Sequence, residues 1–150
     1  MPLSSSGLST STLDVSIYNS FDDDYKESLS VTSHRDDLLQ DLTDAQEEAK
    51  EINWDGYGAA PANIDAYIIS RKFLKSLPDS IPDPEVDVTP QGDFVFFWRR
   101  RPRHMFSLTI NGSGEIAYAA KFGHTRKTGT TIFAGYIPRH LLAELFHLFA

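Results

Sequence analysis

Residues 94–120, FVFFWRRRPRHMFSLTINGSGEIAYAA, decide the fold. Phe94-Val95-Phe96-Phe97-Trp98 is apolar on both faces, the pattern of a central strand. Phe106, Leu108 and Ile110 alternate with polar residues and share one face of the next strand. Asn111-Gly112-Ser113-Gly114 then supplies a tight turn, because asparagine and glycine tolerate the left-handed backbone that hairpins require. Ile116, Tyr118 and Ala120 continue on a further strand. Successive strands joined by such turns make an antiparallel meander.

Upstream, Val86 and Val88 alternate with acids and predict a strand before Phe94. Downstream, Thr130-Thr131-Ile132-Phe133-Ala134 predicts a fifth strand, and Pro138, placed at a first helical position, opens a last helix with Leu141, Leu142, Leu145, Phe146 and Phe149 facing inward. Two helices precede the sheet. The first is expected over about residues 34–52, capped by Ser33 with Asp36 three residues on, and with Leu38, Leu42, Ala45, Ala49 and Ile52 as one apolar stripe. The second is capped by Asn63, buries Ile64, Tyr67, Ile68, Phe73, Leu74 and Leu77, and ends before Pro78. The fold class is therefore α+β: two N-terminal helices, a four- to five-stranded antiparallel meander, and a C-terminal helix packed on one face.

A chain of 150 residues, 41% of them apolar, fits one domain with a single core. That domain is expected over 33–150, after an acidic, Ser/Thr-rich arm at 1–32 that is extended or ordered by a partner. Leu13, Val15 and Ile17 alternate within the arm like a short strand. No run approaches the roughly 18 apolar residues of a membrane span, and Met1-Pro2-Leu3-Ser4-Ser5 lacks the basic start and apolar centre of a secretion signal. The expected location is cytoplasmic. The absence of cysteine excludes disulfides and thiolate metal sites.

Several chemistries lack their residues. The chain has no GxGxxG, GxxxxGK[ST] or HExxH motif and no EF-hand loop. His34, His104, His124, His140 and His147 are scattered, and the last two stand a heptad apart, too far to share a metal. Asp22-Asp23-Asp24 is read as a solvated or partner-binding acidic knot rather than a metal site. No cofactor, no metal and no catalytic residue is expected.

Charge is sorted along the chain. Residues 1–92 hold 18 acids against 6 bases, whereas residues 93–150 hold 3 acids against 8 bases, within a total of −7. Arg99, Arg100, Arg101 and Arg103 sit at the end of the second strand, and Lys121, Arg126 and Lys127 flank the end of the fourth. In a meander those two ends lie on the same edge, so the cations are expected to form one positive rim. Such a rim suits nucleic-acid phosphates, an acidic protein surface, or the chain's own acidic arm.

Asn53-Trp54-Asp55-Gly56-Tyr57-Gly58-Ala59 breaks the first helix from the second. Read as structure, Trp54 covers the corner, Asp55 accepts from freed N–H groups, and Tyr57 lays its ring across the sheet with its hydroxyl outward. Read as a site, Trp54, Asp55 and Tyr57 form an aromatic-plus-carboxylate recognition surface. The heptapeptide resembles a widespread group of small bacterial proteins in which an NWDGYGA-type turn joins two helices. The likeness extends to Phe73–Pro78 and to Thr89-Pro90-Gln91-Gly92-Asp93. It brings no established activity with it; it implies a setting among mobile or defence-related genes. Residues 1–32 and Arg99–Arg103 lie outside the group's pattern.

These features favour a non-enzymatic protein-interaction module. With the resemblance, they suggest an inhibitor, antitoxin-like or accessory factor of bacterial or phage conflict that binds a larger protein or nucleoprotein complex. Binding would use Asp22–Asp24 and the first helix, or the arginine rim. The alternative is a nucleic-acid-binding protein using Arg99–Arg103. A hydrolase pairing Asp55 with a histidine is a third reading, and nothing in the sequence fixes its geometry. No membrane partner is expected.

Overall fold

A computed structural model describes the backbone of residues 22–150 and the side chains from Arg35 onward. The chain divides into two units, Met1–His34 and Arg35–Ala150, and the packing below is that of the second. The strand expected at Leu13, Val15 and Ile17 lies outside the described residues.

The elements run α1 (Asp22–Glu48), α2 (Ile64–Ser76), β1 (Glu85–Val88), β2 (Phe94–Arg101), β3 (His104–Ile110), β4 (Glu115–Phe122), β5 (Thr125–Ile132) and α3 (Arg139–Leu148). All five strands pair with their sequence neighbours, antiparallel, in the order β1-β2-β3-β4-β5. The architecture is α+β, with helices before and after an antiparallel sheet.

Register assigns the two faces. Phe96 pairs with Leu108, and Leu108 with Tyr118; Phe94 pairs with Ile110, and Ile110 with Ile116. Directly paired residues share a face, so these side chains line one surface. Leu38 and Leu42 of α1, Phe73 and Leu74 of α2, and Leu141 and Leu145 of α3 join them in a single buried core. The Phe73 and Phe96 rings stack at 5.8 Å, and the Trp98 indole donates to the Pro82 carbonyl at 2.8 Å. The other face carries Val95, Phe97, Met105, Ser107, Thr109, Ala117 and Ala119, none of them fully buried. The expected burial of Phe94–Trp98 on both sides is thus corrected: only Phe94, Phe96 and Trp98 lie in the core.

Five boundaries or faces differ from expectation. Helix α1 spans Asp22–Glu48, so Ser33 lies inside it rather than at its cap. Helix α1 ends at Glu48, leaving Ile52 75% exposed. Helix α2 turns Ala66, Ser70, Phe73 and Leu74 inward while Ile64 and Ile68 face solvent, because its phase is set by Phe73 and Leu74 on the sheet. Strand β5 starts at Thr125, so Arg126 and Lys127 are strand residues, and Phe146 of α3 is exposed.

Candidate functional site

The cations gather at one end of the sheet. Arg99 pairs across the strands with Met105, Met105 with Lys121, and Lys121 with Arg126. These four residues form one row on the face opposite the core. Beyond the row lie two adjacent turns, Pro102-Arg103 between β2 and β3 and Gly123-His124 between β4 and β5. The Gly123 N–H donates to the Arg103 carbonyl at 2.7 Å, joining the turns. Arg103 sits in the left-handed region at φ 64°, the conformation a two-residue reversal demands.

Neighbours divide the seven expected rim residues into two groups. The Arg100 guanidinium donates to the carbonyls of Leu148 and Ala150, satisfying carbonyls left open where α3 ends. Lys127 binds the Glu144 carboxylate at 3.1 Å and lies 5.9 Å from the centre of the Phe122 ring. Both residues tie α3 to the sheet. Arg99, Arg101, Arg103, Lys121 and Arg126 have no carboxylate partner among the described residues. Arg99 lies over the Phe97 ring at 5.4 Å, and Arg101 reaches His104 Nε2 at 3.4 Å. The site is therefore five cations with His104, the first residue of β3, and His124 in the β4–β5 turn.

The NWDGYGA turn closes on itself. The Asp55 carboxylate accepts from the N–H groups of Tyr57 (2.8 Å) and Ala59 (3.1 Å) through one oxygen. Asn53 Oδ1 accepts from Gly58 at 2.6 Å, the Asn53 N–H donates to Ala59, and the Trp54 indole donates to Ala60 at 2.7 Å. Gly56 and Gly58 occupy left-handed backbone at φ 80° and 84°. These bonds account for Asp55 and Trp54 as structure. Tyr57 departs from expectation: it is 93% exposed and covers no part of the sheet, standing between two glycines in left-handed backbone.

The side chains of Asp22, Asp23 and Asp24 lie outside the described residues. Among the described residues, no group of three His, Cys, Asp or Glu side chains is arranged to hold a metal ion, and no helix is long and apolar enough to cross a membrane. Two shallow depressions mark the open sheet face. One, of about 240 Å³, is lined by Phe97, Met105, Lys121 and Arg126. The other, of about 370 Å³, lies at the far end and is lined by Asp93, Asn111, Glu115 and Ile132. Burial pushes the Asp93 carboxyl above its ordinary value.

Comparison with protein-family models, with curated proteins and with solved structures yields no match.

Proposed function

We propose that the protein is a non-enzymatic interaction module that holds an anionic surface of a larger protein or nucleoprotein complex against its basic rim. The carrying observation is the collection of Arg99, Arg101, Arg103, Lys121 and Arg126 at one sheet end, without carboxylate partners among the described residues. Guanidinium groups offer paired donors that match carboxylates and phosphates. Clustered like charge costs self-repulsion that an oppositely charged partner relieves. The NWDGYGA resemblance fits an inhibitor, antitoxin-like or accessory role in bacterial or phage conflict, in the cytoplasm.

The test is affinity capture from the source cells with three baits. Wild type is compared with Arg101→Glu/Arg103→Glu and with a charge-matched control, Lys72→Glu/Lys75→Glu, on exposed positions of α2. Loss of a captured partner with the rim variant and its retention with the control supports the reading. Equal capture by all three baits overturns it. A partner removed by nuclease, with a steep fall in binding as salt rises, assigns the rim to nucleic acid instead.

A further inference from the structure

The open sheet face has two poles of opposite sign. Strand β4 spans both: Lys121 stands at the basic pole and Glu115 at the acidic one, with Ala119 and Ala117 between them on the same face. Six residues apart on one strand, they are about 20 Å from each other. Arg99 and Arg126 stand level with Lys121, while Asp93 lines the depression beside Glu115. Between the poles β2 presents Val95 and Phe97, while β3 to β5 present the smaller Ser107, Thr109, Ala117, Ala119, Thr128 and Thr130.

We infer that this face pairs with the same face of a second copy of the chain. A half-turn about an axis lying in the face and perpendicular to the strands sets β4 on β4 in opposite directions. That operation carries each basic pole onto the acidic pole of the other copy. Lys121 then faces Glu115 of the second copy, and Arg99 faces Asp93 of the second copy. Because a two-fold interface is isologous, each of these pairs occurs twice. The small residues of β3 to β5 allow two sheets to approach at the usual spacing of about 10 Å, and on β2 the operation sets Phe97 against Val95 of the second copy. The depression of about 370 Å³ at the acidic pole has room for the ends of long basic side chains.

Two features limit the strength of the contact. The operation brings Glu85 near Asp87 of the second copy, a like-charge pair on the edge strand β1, where solvent screens it. Five strands spaced about 4.8 Å apart give a footprint roughly 19 Å wide and, over the about 20 Å between the poles, on the order of 400 Å², short of the ~800 Å² per partner of a standard interface. The dimer is accordingly reversible and concentration-dependent. Arg101 at the end of β2 and Arg103 and His124 in the turns beyond lie outside this pairing, whereas Arg99 and Lys121 belong to the proposed rim as well, so a dimer and a rim partner would compete for them.

Sedimentation equilibrium of the full chain over a wide concentration range tests it. Lys121→Glu alone and Glu115→Lys alone each place like charges opposite one another twice, and each is expected to weaken association about tenfold. The double variant Glu115→Lys/Lys121→Glu restores opposite charges and recovers association to near the wild-type value. Wild-type association also weakens as salt rises, a readout that needs no variant. A wild type that stays monomeric overturns the inference and leaves the face to a heterologous partner. So does a dimer indifferent to salt, or a double variant no better than the singles.

Discussion

The Gly123 N–H donates to the carbonyl of Arg103 at 2.7 Å, holding two separate hairpin turns as one unit at the basic end of the sheet. Arg103 and its neighbours thereby acquire fixed places, while Arg100, adjacent to them in sequence, points to the opposite face and binds the end of α3. The run Arg99–Arg103 therefore contains two kinds of residue, and substitution separates them.

Arg100→Ala removes a charged donor from the carbonyls of Leu148 and Ala150. It should destabilise the fold by about 1–3 kcal/mol in chemical denaturation and leave capture of a rim partner unchanged. Arg103→Gly should do the reverse. Glycine relieves the left-handed strain but adds unfolded-state freedom, so stability stays within about 1 kcal/mol of wild type. Binding to the captured partner falls.

Asp55 is a bracket for the loop rather than a reactive group. Asp55→Asn keeps an oxygen in place for the N–H groups of Tyr57 and Ala59, and thermal denaturation should place it close to wild type. Asp55→Ala leaves both donors without their acceptor and costs about 1–2 kcal/mol. Tyr57→Ala, at a 93% exposed position, stays within about 0.5 kcal/mol. A structural loss in Tyr57→Ala comparable with Asp55→Ala would contradict the observed geometry.

Gly92 is the most constrained glycine of the connections. Its φ is +89°, and an added Cβ would sit 2.4 Å from the Pro61 carbonyl oxygen, which is backbone and cannot swing away. Its own carbonyl accepts from the N–H of Asn63, the cap of α2. Gly92→Ala should cost about 2–4 kcal/mol, combining left-handed strain with displacement of that junction. Gly58→Ala, at φ +84° with open space around it, should cost only about 1–2 kcal/mol. Urea unfolding of the pair reads the difference.

Much of this was legible in the sequence and some was not, for identifiable reasons. Strands β2 to β4 were visible because Phe106, Leu108 and Ile110 keep strict alternation and Asn111-Gly112 marks the reversal. The first half of β5 carries no strand signal because Thr125-Arg126-Lys127-Thr128-Gly129 holds no apolar side chain, and only its pairing with β4 makes it a strand. The phase of α2 is hidden in the sequence because Ile64 and Ile68 look like core residues, while the observed stripe includes the small Ala66 and Ser70. The gathering of two basic clusters on one edge followed from meander topology alone. The separate role of Arg100 depends on a contact with Leu148, 48 residues away, which local pattern cannot reveal.

Asp93 predicts a pH signature. Desolvation on burial raises its carboxyl above the ordinary value of 3.8. A group raised in the folded state favours folding when protonated. That contribution is complete below the unfolded value and is lost as pH climbs through the folded value. Asp93→Asn removes the penalty of burying the charge. Its stability should match wild type in acid below 3.8 and exceed it at neutral pH. Denaturation profiles of the two proteins across that interval should diverge upward from the acid side; parallel profiles would contradict the assignment.

The rim's role is tested most directly by photocrosslinking in the source cells, with a photoreactive phenylalanine derivative in place of Arg103 and, separately, of Lys72 on the exposed side of α2. The proposed function requires one partner to crosslink from position 103 and not from position 72. The same partner crosslinking from 72 but not from 103 would place binding elsewhere on the molecule and contradict it.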